Sequence, residues 1–150
     1  MLRKAFLILP VSALVFAVGL ATLHFDLPVG PIILILGFLP LIVLTISGRR
    51  VSRAIPDLVF GVVDTGLLTI PALAGGLAYG VPGAVAGGVI GDAITDSIAG
   101  LFEGAVAEWL RARGYDESRE AVTTSLGKMA GCLFGSGLVL SVALAAGIAL

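Results

Sequence analysis

Three aspartates stand inside stretches of sequence that otherwise hold almost nothing able to ionise. Asp64 lies in Val62-Val63-Asp64-Thr65, and Asp92 and Asp96 lie in Gly91-Asp92-Ala93-Ile94-Thr95-Asp96. A spacing of four sets Asp92 and Asp96 on one face of a helix. Carboxylates, with the hydroxyls of Thr65, Thr69 and Thr95, are hard oxygen donors. They suit a proton, Mg²⁺, Ca²⁺ or Mn²⁺ rather than a soft metal. One charge at the centre of a bilayer costs about 2.5–3.5 kcal/mol on insertion scales. Three acids at that depth must therefore be protonated, paired or bound to a cation.

That cost applies only if the surrounding chain lies in lipid, and the composition says that it does. Of 150 residues, 58% are hydrophobic and 13% charged, with nine Lys and Arg against ten Asp and Glu. The mean hydropathy is +1.12. An ordinary globular chain is about a quarter charged. A soluble domain of this length also leaves about thirty percent of its unfolded surface wet, and so few charges cannot cover it. Disorder is excluded as well, because disordered chains lack the Leu, Ile and Val that fill this one. The expected fold class is all-α: a polytopic membrane protein forming a single transmembrane domain. Its first partner is the lipid bilayer. A net charge of −1 gives no field to attract nucleic acid. The single Cys132 cannot form an internal disulfide and reads as a small buried hydrophobe.

A bilayer core of about 30 Å takes roughly 20 apolar residues per helix. Five such spans are expected, at about 5–23, 29–47, 57–78, 83–111 and 122–148. The first, preceded by Arg3 and Lys4, also has the outline of a signal peptide with Ala21 near a cleavage point. Its length, and the second apolar run that follows at once, favour a retained helix. Pro40 should kink the second span near Phe38, and Pro71 should kink the third. Tyr79-Gly80-Val81-Pro82-Gly83 supplies the break between the third and fourth. The segment from Ala112 to Glu120 is hydrophilic and reads as a solvated loop or helix extension.

With five crossings, all nine Lys and Arg fall on one side of the membrane or just within it. The positive-inside rule then sets the amino terminus in the cytoplasm and the carboxyl terminus outside a cell membrane. Trp109 reads as an anchor at headgroup level, with Asp57, Glu108 and Arg111 also interfacial. His24 sits in a turn with no second His or Cys beside it.

Glycines recur at steps of four. One row runs Ala84, Gly88, Asp92, Asp96, Gly100, Gly104, Glu108, and others run Gly83, Gly87, Gly91 and Gly127, Gly131, Gly135. Small residues at this spacing let helix backbones approach closely. They predict glycine-rich helix packing and a homo-oligomer joined through glycine-lined faces. Folding the third and fourth helices back on the Tyr79–Gly83 turn brings Asp64 level with Asp96 and Ala99. The three carboxyls are then expected to meet near the membrane midplane. Asp64, Asp92 and Asp96 are the expected ion- or metal-binding residues, with Thr65, Thr95, Glu103 and Lys128 in support. Glu103 and Lys128 are expected to pair. The function expected from these residues is that of a small cation transporter or channel for a proton or a hard divalent ion, Mg²⁺ among them. A non-catalytic assembly subunit accounts for the glycine rows equally well.

Two resemblances bear on an enzymatic reading, of which the first fails for want of ligands and the second stands as the alternative. Gly88-x3-Asp92-x3-Asp96 is similar to the end of the metal- and nucleotide-binding motif of CDP-alcohol phosphatidyltransferases, and Gly75 and Ala78 fall where that family has Gly and Ala. The family's first two aspartates fall on Pro71 and Ala74, and its Arg on Tyr79, so half of that metal site is missing. Gly91-Asp92-Ala93-Ile94-Thr95-Asp96-Ser97-Ile98-Ala99-Gly100 resembles the Gly-Asp segment of dolichol and phytol kinases. That resemblance implies a membrane-embedded, metal-dependent lipid or prenol kinase or transferase that uses CTP. Leu101, Phe102 and Glu103 stand where those kinases carry basic residues, leaving Lys128 as the candidate phosphate partner. No Ser-His-Asp set, Cys/His cluster or Gly-Lys-Ser/Thr phosphate loop is present.

Overall fold

A computed structural model describes residues 2–112 and 120–148, with the backbone alone described at 2–5, 100, 102–107 and 109–111. Every described element is helical. In chain order they are α1 (Leu2–His24), α2 (Val29–Leu36), α3 (Phe38–Ile46), a short 3₁₀ turn (Val51–Ala54), α4 (Ile55–Ala112) and α5 (Ala121–Ala145). Among the described residues, four helices are long and apolar enough to cross a membrane: Phe6–His24, Val29–Ile46, Val51–Ala99 and Ala121–Ala145.

Local chemistry explains where these helices stop. The second apolar segment divides at Gly37, one residue from the kink expected near Phe38. Pro40 has no N–H to donate to the carbonyl of Leu36, so the ladder is weakened there. Helices α1, α3 and α5 end in the same way. Asp26 (φ 51°), Gly48 (φ 72°) and Gly147 (φ 81°) turn left-handed. The N–H groups of Leu27, Arg49 and Ile148 then return to the carbonyls of Thr22, Leu44 and Ala143 at 3.0–3.1 Å. This double closure satisfies carbonyls that a helix end would leave bare. It stops α5 at Ala145, three residues short of the expected end.

Helix α4 is a hairpin. Its one non-helical residue is Gly80, at φ 64° and ψ −149°, a conformation open essentially to glycine alone. The chain reverses at this residue, and Pro82 already stands in the first turn of the descending limb, where a missing N–H does no harm. Pro71 keeps helical backbone angles. The two limbs, 55–79 and 81–112, run antiparallel and almost touch. A Cβ added at Gly75 would meet the carbonyl of Gly83, and one at Gly87 would meet that of Pro71. At Gly91 it would lie 2.8 Å from the Pro71 ring and 3.3 Å from the Leu68 Cα.

Helix α5 packs against most of the remainder. It runs parallel to limb 55–79, with Gly127 beside Ala54, Gly131 beside Leu58 and Gly135 beside Val62. On another side it runs antiparallel to α2, where Gly30 meets Ser141 and Gly137 meets Leu34. Phe134 fills the space beside Gly37 and stacks edge-on to Phe38. Val11, Leu44, Ala54, Val122 and Leu126 form a buried cluster where α1, α3, the 3₁₀ turn and the start of α5 converge. Outside it, large apolar side chains such as Phe16, Ile46, Val89 and Ile94 are exposed, which is compatible with a membrane protein.

Candidate functional site

The limb-to-limb register places the aspartates. Gly75 meets Gly83, Pro71 meets Gly87 and Leu68 meets Gly91, so one turn further on Asp64 comes opposite Thr95. Asp64 and Asp96 are each sixteen positions from Gly80, about 24 Å of helix at 1.5 Å per residue. Asp92 lies one turn nearer the reversal. All three are therefore close to one level of the hairpin.

They do not share one surface. On the descending limb, the contact row toward its partner is Gly83, Gly87, Gly91, Thr95 and Ala99, and Thr95 is buried. Asp92 and Asp96 stand on the flank of that row, and both are exposed. Asp64 lies four residues before Leu68, on the side of its limb that faces Gly91 and Thr95. Its Oδ1 is buried and has no hydrogen-bond partner. A carboxyl oxygen enclosed in this way is costly unless a proton, water or cation meets it. Among the described residues, no three His, Cys, Asp or Glu side chains gather closely enough to hold a metal ion. A single chain thus brings the three aspartates to one level without joining them in one cluster.

Near the aspartates, one pair of hydroxyls joins two helices, and the other hydroxyl bonds return to carbonyls of their own helix. Thr69 donates to the Thr65 carbonyl at 2.6 Å and lies 3.0 Å from the Ser136 hydroxyl, which joins limb 55–79 to α5. Thr95 donates to the Asp92 carbonyl at 3.2 Å. Ser136 escapes a sequence search because α5 is read there as a glycine-packed helix with no acid to draw attention to it. Lys128 holds its ammonium 4.3 Å from the centroid of the Phe60 ring, a cation–π contact. The side chain of Glu103, its expected partner, lies outside the described residues, as do those of Trp109 and Arg111. Asp57, expected at the membrane interface, is buried at 5% exposure beside Gly127.

No family model, curated protein or solved structure matches this chain. What it does has to be argued from these side chains.

Proposed function

We propose that the chain is a small multi-pass protein of the cell membrane that conducts or carries a cation through Asp64, Asp92 and Asp96. The observation that carries this reading is Asp64, whose Oδ1 is buried in the seam of an apolar helical hairpin with no protein partner. An ionisable group at membrane depth marks an ion pathway or a proton relay by default. Carboxyls at one level but on separate surfaces suit a proton handed between them. A hard divalent ion is the second cargo, because it requires several oxygens together.

The helix directions support five crossings. Limb 55–79 of α4 contains 25 residues, about 37 Å of helix, and limb 81–112 is longer, so each half exceeds a bilayer core. With α2 and α3 antiparallel to α5 and limb 55–79 parallel to it, the two termini fall on opposite faces. Arg49, Arg50 and Arg53 then lie at the end where α5 begins, which the positive-inside rule makes cytoplasmic. The nucleotide-using alternative depends on a phosphate partner, and Lys128 instead places its ammonium over Phe60.

Purified protein in liposomes should dissipate an imposed proton gradient or admit Mg²⁺. Asp64→Asn and the Asp92→Asn/Asp96→Asn double variant should each lower that flux tenfold or more. Wild-type liposomes no leakier than empty ones would mark an assembly subunit. Flux that survives both variants would remove the carboxylates from the pathway.

A further inference from the structure

Two side chains of opposite charge stand one turn apart in level, and neither makes an ion pair among the described residues. Asp64 keeps a buried Oδ1 with no hydrogen-bond partner. Lys128 holds its ammonium 4.3 Å from the centroid of the Phe60 ring. Phe60 and Asp64 are four residues apart, so they share one face of limb 55–79 and differ by about 6 Å in level. Leu68, four further on, meets Gly91, so this face looks toward limb 81–112. The backbone of Lys128 lies against Gly61, where an added Cβ would come 2.6 Å from the Lys128 carbonyl, and its side chain crosses to Phe60. A ring attracts a cation only through its quadrupole. An ionised carboxylate offers a full opposite charge, and at low dielectric that attraction is far stronger.

We propose that Lys128 is the mobile counter-charge of Asp64, and that the cargo taken by this carboxyl is a proton. The inference rests on the transport reading above. With a proton on Asp64 the carboxyl is neutral, and the ammonium stays on Phe60. When the O–H bond breaks, the proton leaves to water and its electron pair stays on the carboxylate. The Lys128 ammonium, on a flexible four-carbon stem, then leaves the ring and pairs with it. Emptying the site therefore leaves no lone negative charge in hydrocarbon. A hard divalent ion fits this site poorly. It requires several oxygens, Asp64 brings one carboxyl, and a neighbouring ammonium repels it. The other acids are placed differently. Asp92 and Asp96 are exposed on the flank of limb 81–112, Glu103 lies further along that limb, and Asp57 is buried beside Gly127.

The test reads the ammonium through the ring it leaves. Full-length protein carrying Phe60→Trp and Trp109→Phe, and so a single indole, is placed in phosphatidylcholine vesicles, and its fluorescence is followed from acidic to alkaline pH. A step in emission is expected as the cation departs, and it should vanish in Asp64→Asn and in Lys128→Met. In vesicles loaded with a pH indicator, Lys128→Met should lower proton flux tenfold or more, and Lys128→Arg, which keeps the charge, should recover part of it. A parent without the step, while wild type conducts protons, would overturn the exchange, and so would full flux in Lys128→Met. A step that persists in Asp64→Asn would assign the ammonium to Asp57 or Glu103 and overturn the pairing. Wild-type vesicles that admit Mg²⁺ but no protons would overturn the proton as cargo. A step that vanishes in both variants, in vesicles no leakier than empty ones, would leave the pair standing and remove the transport reading.

Discussion

Arg49 and Glu120, 71 positions apart in sequence, are joined by a 2.9 Å ion pair. The same Glu120 caps α5: its Oε2 accepts the Thr123 N–H at 2.9 Å and the Thr123 hydroxyl at 2.7 Å. One carboxylate thus fastens the turn after α3 to the start of α5. It sits at the end of the bundle where Leu44, Val122 and Leu126 are fully buried. Helix α5 is held there in register with both α3 and α4.

This arrangement gives the protein a pH dependence of definite sign. The Arg49 guanidinium, ahead of the Thr123 hydrogen bonds, holds the Glu120 carboxyl down from 4.5 to about 2. Above pH 4.5 the carboxylate is ionised in folded and unfolded chains alike, and its stabilisation is fully present. Between pH 4.5 and about 2 the unfolded chain takes up a proton that the folded chain refuses, so stability falls. The carboxylate is 40% exposed, and solvent screening limits the effect to about 1 kcal/mol. Detergent-solubilised wild type, unfolded with SDS and followed by circular dichroism, should lose more stability from pH 5 to pH 3 than Arg49→Ala. Equal slopes would show that the pair contributes nothing.

The interface between α4 and α5 should discriminate between two glycines. A methyl at Gly131 would strike the Leu58 carbonyl, which belongs to helical backbone and cannot yield. A methyl at Gly66 would lie 3.5 Å from the Gly135 Cα, ordinary contact. Gly131→Ala should therefore destabilise by about 1–3 kcal/mol, the usual range for overpacking, and Gly66→Ala should be close to neutral. Thermal unfolding of the two variants in one detergent checks this. Similar midpoints would mean that the helices slide apart freely.

Gly80→Ala tests the reversal of α4. Its φ of 64° with ψ of −149° is strained for any residue with a Cβ, by about 1–3 kcal/mol. No neighbour lies within 4 Å of the added methyl, so backbone strain is the whole effect. Gly80→Ala should lower the unfolding midpoint, and Gly80→Asn should lower it as much, because Asn is tolerated in the left-handed α region but not at this ψ. Wild-type stability in Gly80→Ala would show that α4 does not turn back sharply at this residue.

How much of this could be read beforehand depended on whether the cause was local. The break near Phe38 followed from Pro40, and the reversal from the glycines and proline at 79–83. Both act on their own backbone. In the sequence Glu120 reads as part of a solvated segment, because its partner Arg49 is 71 positions away and no spacing announces such a pair. The aspartates were an intermediate case. Counting from the turn gave their level, because rise per residue is fixed. It could not give their azimuth, because two rows of small residues were offered. Packing chose Gly83, Gly87 and Gly91, whose carbonyl contacts permit the closer approach, and Asp92 and Asp96 were left on the flank.

Asp64 should show stability and function in opposition. Its buried Oδ1 has no partner in the chain, and such an atom keeps a desolvation penalty of roughly 1–3 kcal/mol. Replacing the carboxyl by an apolar group of similar size removes that penalty, since the buried oxygen gives up no hydrogen bond within the protein. Asp64→Leu is therefore expected to unfold at higher SDS concentration than wild type while losing cation flux in liposomes. Asp64→Asn, which keeps the shape but not the charge, should lose flux with little change in stability. Glu at this position restores a carboxyl and should recover part of the flux. A less stable Asp64→Leu would show that the carboxyl is held by the fold for its own sake. Retention of this acid would then need no ion to explain it.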